Sequence, residues 1–215
     1  MNLDPELRLC LASAVMSCLE GAAPGSTATL RGSLAHGRAD EYSDIDICWE
    51  VPDELFPACL DGLGDHLAAV RAVASLRSAP ELQNSRKHRL IFVQFAGLPL
   101  FWRVDIEVFA HSIQRDSSYD LDNELARGGD WSRTHSALMN AIAAIKAILR
   151  GEDAEALDLL RRAFERIGEM VPEATPQDQI VQLARHIASI DLAQADLARE
   201  IQGLCCQTLC RRNHQ

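Results

Sequence analysis

The stretch "GSLAHGRADEYSDIDICWEV", residues 32–51, carries a glycine–serine pair followed by two aspartates that flank a single isoleucine. Side chains two positions apart on a β-strand point to the same face, so Asp44 and Asp46 should project together while the isoleucines face the core. Two carboxylates this close repel each other, and a divalent cation is the economical compensation. Because aspartate oxygens are hard ligands that suit Mg²⁺ or Mn²⁺, the pattern predicts a metal site.

A third acid is expected, since a site for two metal ions generally needs another carboxylate. The segment "FWRVDIEVFA", residues 101–110, is the other strand-like run that holds acids among apolar residues. Asp105 and Glu107 share one face of this strand, and valine and isoleucine side chains occupy the other. We predict Asp105 as the third ligand, with Glu107 as the reserve.

A phosphate site is predicted where the strand "STATLR" ends at Gly32 and Ser33. Gly32 has no side chain to obstruct an approaching ligand, so backbone N–H groups there can cradle a phosphate, and the Ser33 hydroxyl adds a donor. A glycine–serine pair alone usually marks only a turn, and Asp-x-Asp alone is usually a solvated strand end. Together, with a third acid on another strand, they favour metal-assisted phosphoryl chemistry.

Four short runs rich in β-branched and aromatic residues predict one mixed sheet in the first part of the chain. They are "STATLRG", "DIDICWEV", "HRLIFVQFAG" and "LFWRVDIEVFA". A helix over residues 53–75 should pack across this sheet, although its proline and glycines argue against an unbroken helix. An N-terminal helix should begin at the Asp4–Pro5 cap. Residues 1–115 are therefore predicted to form an α/β catalytic domain.

From about residue 130 the strand signal gives way to helical periodicity, which predicts an all-helical bundle domain over residues 130–215. Residues 111–130 would be the linker. The third helix of the bundle should begin at Thr175, and its apolar residues recur in steps of three and four, with Gln194 as one polar member. The core of a bundle is the favoured interpretation and a dimer seam is the alternative, so both a monomer and a homodimer are open.

The net charge of −10 at pH 7 argues against a protein that holds long nucleic acid through phosphate contacts, and a small or cationic partner fits better. No apolar run is long enough to cross a bilayer, so we expect a cytoplasmic location and no membrane partner. The seven cysteines are odd in number and scattered, which indicates reduced thiols. One cluster could alternatively hold a metal, but adjacent cysteines make no typical zinc knuckle. It comprises Cys205, Cys206, Cys210 and His214.

These motifs resemble the nucleotidyltransferase fold of the DNA polymerase beta superfamily. The pattern of that family is Gly-Ser, a short glycine-containing turn, Asp-x-Asp and a third Asp on a later strand. The likeness spans about residues 26–110 and is nearest to the bacterial minimal and antibiotic (aminoglycoside- and lincosamide-type) nucleotidyltransferases. It departs from the family at His36, where related proteins often carry arginine or another large residue. The matching residues are Gly32, Ser33, Ala35, Gly37, Ser43, Asp44, Asp46 and Asp105.

The resemblance implies a two-metal transfer of a nucleoside monophosphate from a nucleoside triphosphate to an acceptor, with release of pyrophosphate. Asp44 and Asp46 would hold one Mg²⁺ and Asp105 would share a second, while Gly32 and Ser33 would bind the triphosphate. ATP is the expected triphosphate. The expected acceptor is a hydroxyl of a small molecule, with antibiotics among the candidates.

Two other functions fit the same motifs. Minimal nucleotidyltransferase antitoxins resemble this pattern and adenylylate a hydroxyl side chain of a partner protein, although they are usually shorter. A non-catalytic module that binds a nucleotide or a partner is the alternative from a different class. A degenerate member of that kind would be expected to lose an acid or the glycine–serine pair, and this chain keeps them all.

Overall fold

Five strands form one mixed sheet in the computed structural model, which describes residues 3–209. Across the sheet the strands follow the order β1-β2-β5-β4-β3. Strands β2 and β5 are parallel, whereas the other three pairs of neighbours are antiparallel. The last strand in the sequence thus lies at the centre of the sheet. The strands are β1 Thr27–Leu30, β2 Ile45–Val51, β3 Val73–Ser78, β4 His88–Phe95 and β5 Val104–Ala110.

One face of the sheet is covered by helices and forms the core. Asp4 caps the N-terminal helix, where its Oδ1 accepts a hydrogen bond from the backbone N–H of Glu6 at 2.9 Å. Side chains from three helices pack against alternate residues of β2, β4 and β5. Because strand side chains alternate between faces, the residues in between point away from this core. The helices of this part are α1 Pro5–Ala22, α2 Gly32–Ala35, α3 Phe56–Asp61 and α4 Leu63–Val70.

The chain divides into two compact units, one up to Asp130 and one from Trp131 onward. The second unit is all-helical in its described residues. Helix α5 packs against α6, and α7 packs against α8. Leu160, Leu183 and Ile201 are fully buried within this unit. Its helices are α5 Arg133–Arg150, α6 Asp153–Ile167, α7 Pro176–Ile190 and α8 Ala195–Leu209.

The predicted fold class is confirmed, since a mixed α/β sheet is followed by an all-helical part. The four strands expected from the sequence are present, and Thr175 caps α7 by accepting a hydrogen bond from the N–H of Asp178 at 3.2 Å. None of the helices described here is both long and apolar enough to span a membrane. The described cysteines are thiols and not disulfides. Cys210 and His214, part of the cysteine cluster considered above, lie outside the described residues.

The first correction concerns residues 53–75, which do not form a single helix. The helix is interrupted at Gly62, and the chain leaves α4 after Val70 to form β3. This strand lies at the edge of the sheet and pairs only with β4. Its residues alternate between exposed and half-buried positions, so a single weakly apolar face was the only signal for it.

The second correction concerns the segment 111–130, which was expected to be a linker. It belongs to the first unit, which extends to Asp130 and does not end at residue 115. The N–H of Asn84 donates to the carbonyl of Ala126 at 2.7 Å, and the N–H of Gly128 donates to the carbonyl of Pro80 at 2.8 Å. These backbone bonds to the segment that precedes β4 hold it in place.

The third correction concerns the long heptad repeat. Helix α7 ends at Ile190, a short 3₁₀ turn covers Leu192–Gln194, and α8 begins at Ala195. The Gln194 side chain lies within 2.9 Å of the Nδ1 atom of the buried His135 on α5. The continuous seam with Gln194 as its polar member is therefore wrong, whereas the interpretation of these residues as a bundle core agrees with the structure.

Candidate active site

Asp46 and Asp105 lie directly opposite each other on the parallel strands β2 and β5. Their neighbours Ile45, Ile47 and Ile106 are completely buried in the core. The two carboxylates therefore project from the opposite face of the sheet, which the core helices do not cover. Asp44 immediately precedes β2, so the first acid of the pair lies at the end of the strand and not within it.

Gly32 lies against the Asp46 carboxylate. The N–H of Arg31 donates to the backbone carbonyl of Asp46 at 2.8 Å, which holds the start of α2 beside β2. Gly32 has a φ of +60°, and a Cβ atom added to it would be 2.0 Å from Oδ2 of Asp46. This close approach and the left-handed backbone conformation both require glycine. Ser33 follows in the first turn of α2, so the predicted phosphate cradle and the first carboxylate pair are adjacent.

The loop before Asp44 is anchored by Arg8 of α1, whose side chain is only 2% exposed. An Arg8 guanidinium N–H donates to the carbonyl of Asp40 at 2.5 Å and to that of Ser43 at 3.1 Å. Burial lowers the pKa of Arg8, an effect opposed by the charges of Asp40 and Asp44. Trp102 lies beneath the guanidinium, with 6.0 Å between Arg8 Cζ and the ring centroid. Arg8 thus places a buried positive charge behind the loop that ends at Asp44.

Asp105 is held by Arg103, two residues earlier on the same face. Arg103 Nε donates to Oδ1 of Asp105 and a terminal N–H donates to Oδ2, both at 2.6 Å. Burial raises the pKa of the Asp105 carboxyl, while the Arg103 guanidinium opposes that rise. The charges of Asp44 and Asp46 also raise the pKa of Asp105, because a nearby like charge disfavours ionisation. The three acids therefore share one electrostatic environment.

Glu107, the reserve candidate, is engaged elsewhere. It lies opposite Cys48 on β2, one step along the same face from the Asp46–Asp105 pair. Arg31 donates to its Oε2 at 2.5 Å, and Nε2 of the buried His88 is 3.1 Å from its Oε1. Both carboxylate oxygens of Glu107 thus have partners, as do those of Asp105, and it is the position directly opposite Asp46 that favours Asp105 as the third acid.

The donor set suits a divalent metal ion, because three carboxylates offer hard oxygen ligands. A cation already stands beside one of them, namely the Arg103 guanidinium on Asp105. However, the described residues contain no group of three or more acidic, histidine or cysteine side chains gathered closely enough to hold a metal ion as they stand. The three carboxylates therefore suit a divalent metal ion, whereas the Asp105 carboxylate already forms an ion pair with the Arg103 guanidinium.

The five residues predicted for the site lie at the same edge of the sheet, where β1 ends and where β2 and β5 begin. They are Gly32, Ser33, Asp44, Asp46 and Asp105. Sequence reasoning missed Arg8 and Arg103. Both left a signal, since Arg8 falls on the buried stripe of α1 that continues through Ala12 and Val15, and Arg103 is two residues from Asp105. The roles of the five predicted residues stay predictions.

No protein-family model matches this chain, and no curated protein is similar to it at a significant level. Solved structures do show similarity. An RNA terminal U-transferase is 20% identical over 72% of this chain and 38% of its own, with a TM-score of 0.36. The RNA terminal uridylyl transferase Cid1 is 18% identical over 83% of this chain and 48% of its own, with a TM-score of 0.39. The non-canonical poly(A) polymerase complex GLD-2–GLD-3 is 12% identical over 84% and 69%, with a TM-score of 0.35.

This chain spans less than half the length of the two uridylyl transferases. The structures named here are two RNA terminal transferases and a poly(A) polymerase complex, and none of them is an antibiotic-modifying enzyme. Because the TM-scores lie between 0.35 and 0.39, these similarities do not by themselves indicate the function of this chain.

The similar structures contradict one prediction, that of a small hydroxyl-bearing acceptor and no long nucleic acid. The two uridylyl transferases act at RNA termini, as their descriptions state. The prediction relied on the net charge of −10. Net charge sums the whole surface, but a polynucleotide end contacts only the residues around one site, so the sum does not exclude it. The small-molecule acceptor is therefore withdrawn.

Proposed function

We propose that this chain is a metal-dependent nucleotidyltransferase that moves a nucleoside monophosphate from a nucleoside triphosphate to an acceptor hydroxyl. The observation that carries this proposal is the pairing of Asp46 with Asp105 in register on parallel strands, on the face away from the core. The contact between Gly32 and the Asp46 carboxylate supports it, because it joins a phosphate cradle to the carboxylates.

Asp44, Asp46 and Asp105 would hold the divalent cations, with Mg²⁺ the expected ion. When bound, Mg²⁺ supplies positive charge that neutralises the triphosphate and the leaving pyrophosphate. The backbone N–H groups at the start of α2 and the Ser33 hydroxyl would bind the outer phosphates. These groups would orient the α-phosphorus toward the carboxylates.

The acceptor oxygen would form a new bond to the α-phosphorus as the bond between that phosphorus and the bridging oxygen breaks, releasing pyrophosphate. Asp105 is the candidate to accept the proton of the acceptor hydroxyl. Arg103 would hold the Asp105 carboxyl in its orientation until a metal ion binds.

The test measures pyrophosphate release and transfer of α-phosphate label from ATP, UTP, GTP and CTP, with Mg²⁺ or Mn²⁺, to an RNA oligonucleotide. RNA is the first acceptor to use, given the similar structures. Asp46→Asn should lower turnover by at least a thousandfold, because it removes charge from a metal ligand while keeping the shape of the side chain. The matched control is Asp65→Asn, an exposed acid in the first turn of α4, which should leave turnover unchanged.

The outcomes separate the candidate functions. Label on the oligonucleotide in the wild-type protein, and its loss in Asp46→Asn only, supports the proposal. Metal-dependent binding of a triphosphate without transfer to any acceptor, including protein hydroxyls, would instead favour the non-catalytic module. Equal turnover in Asp46→Asn and the wild type would overturn the assignment of the site.

A further inference from the structure

Arg103 makes a direct contact with one of the three site carboxylates, that of Asp105. It lies just before β5, and its guanidinium covers both oxygens of Asp105 with two parallel hydrogen bonds of 2.6 Å. The Arg103 Cζ atom is 4.7 Å from the ring centroid of Phe92, the residue opposite Asp105 on β4. An arginine fork on a carboxylate, supported by an aromatic ring, is a preorganised pair and not an incidental surface contact.

The charge of Arg103 interacts with all three acids of the site. Burial acts to lower the pKa of its guanidinium, but the hydrogen bond to Asp105 and the charge of Asp105 raise it above the ordinary value. The charges of Asp44 and Asp46 add to this rise. Arg103 therefore compensates the mutual repulsion that three neighbouring carboxylates would otherwise have.

A divalent cation at Asp105 must compete with this guanidinium. Two positive charges that share one carboxylate repel each other strongly where water is largely excluded, and the Asp105 side chain is only 16% exposed. The Arg103 guanidinium also donates a hydrogen bond to each of the two carboxylate oxygens of Asp105.

We propose that Arg103 is the internal counter-cation of this site, bound to Asp105 in the metal-free protein and displaced from it when a divalent cation binds. The inference rests on the proposed function, because it assigns Asp105 to the metal site. Arg103 is a positioning residue: it holds the third carboxylate in its orientation, and it sets the metal concentration at which the site assembles.

The experiment measures Mn²⁺ binding to the full chain by calorimetry and by the electron paramagnetic resonance signal of unbound Mn²⁺. Arg103→Gln removes the competing charge and keeps a polar side chain. It should bind Mn²⁺ at least tenfold more tightly than the wild type. Arg103→Lys keeps the charge but cannot form the two-pronged contact, so its affinity should lie between the two. In the Asp105→Asn background, Arg103→Gln should give no gain.

Arg71→Gln is the matched control, since Arg71 is an exposed arginine whose Nε donates to a backbone carbonyl, that of Ala96, at 2.9 Å. Its Mn²⁺ affinity should equal that of the wild type. Circular dichroism and thermal unfolding verify that each variant is folded; if Arg103→Gln is not, the Arg103→Lys comparison decides by the same criterion.

Unchanged or weaker Mn²⁺ binding in the folded Arg103 variants would overturn this inference and leave the proposed function intact. Absence of Mn²⁺ binding in the wild type and in every variant, with and without ATP, would overturn the proposed function itself. The two failures are therefore distinguishable.

Discussion

Gly32 has no side chain, and the Asp46 carboxylate occupies the space that a Cβ atom would need. The same residue has a left-handed backbone conformation that other residues adopt at a cost of about 1–2 kcal/mol. Glycine at position 32 therefore meets two requirements, the left-handed backbone conformation and the close approach of the Asp46 carboxylate. The two requirements can be tested separately.

Gly32→Ala should lose both turnover and Mn²⁺ binding, because the new methyl group pushes the Asp46 carboxylate out of position. Gly37→Ala is the matched control: Gly37 has a φ of +63°, and a Cβ there would meet nothing within 4 Å. Both variants should lose about 1–2 kcal/mol of unfolding free energy in urea from the left-handed backbone, Gly32→Ala should lose more because of the overlap with Asp46, and only Gly32→Ala should lose binding. Equal binding by the two variants would show that the contact with Asp46 is unimportant.

The sequence was a good guide to the acids and a poor guide to the cations that hold them. The two-residue period of a strand placed Asp46 and Asp105 on the outer face, as observed. The bonds from Arg8 to the loop before Asp44 join segments more than thirty residues apart, and no local pattern could assign that partner. The choice between Asp105 and Glu107 likewise needed the register of β2 against β5.

Among the elements, the three inner strands and the edge strand β1 were predicted from the sequence, whereas the edge strand β3 was not. Strands β2 and β5 are rich in valine, isoleucine and aromatic residues, because their inner face is fully buried. Strand β3 reads "VASLRS" and pairs on one side only, so its composition shows little of its strand character. The helix expected there is interrupted at Gly62 and ends at Val70.

The break between α7 and α8 is produced by Asp191 and not by glycine or proline. Its Oδ1 accepts a hydrogen bond from the N–H of Ala193 at 3.1 Å, and its Oδ2 accepts one from the hydroxyl of Thr134 at 2.6 Å. The apolar residues keep their regular spacing across Asp191, so the end of α7 could not be detected from this spacing. Periodicity of apolar residues indicates which positions are buried and does not indicate where the chain changes direction.

Asp191→Ala should lower the free energy of unfolding by about 1–2 kcal/mol, as expected for the loss of a capping side chain with a second partner. Thr134→Val should cost less, and the double variant should cost less than the sum of the two single variants, because they remove one shared hydrogen bond. Denaturation in urea measures all three values. Strict additivity would show that the Asp191–Thr134 bond contributes nothing.

At the scale of the whole molecule, each compact unit has its own buried core. Leu67 on α4 and Leu160 on α6 are both completely buried, one in each unit. Because a separate core can unfold as a separate cooperative unit, calorimetry should resolve two transitions.

Leu67→Ala and Leu160→Ala should each destabilise one unit by about 2–5 kcal/mol, the usual cost of such a cavity. The two substitutions should lower different transitions in the calorimetric scan. The wild-type scan supplies the reference, and an equal shift of both transitions by either variant would contradict independent unfolding.

Strand β5 is the last strand of the sheet to leave the ribosome, yet it is inserted between β2 and β4. A nascent chain that ends before it can pair β1 with β2 and β3 with β4, but no strand pairing then joins these two pairs. Asp44 and Asp46 are then exposed without Asp105 or its arginine. A chain that ends before β5 therefore carries two of the three carboxylates that the proposed function assigns to the metal site, and the third is added only when β5 has been synthesised.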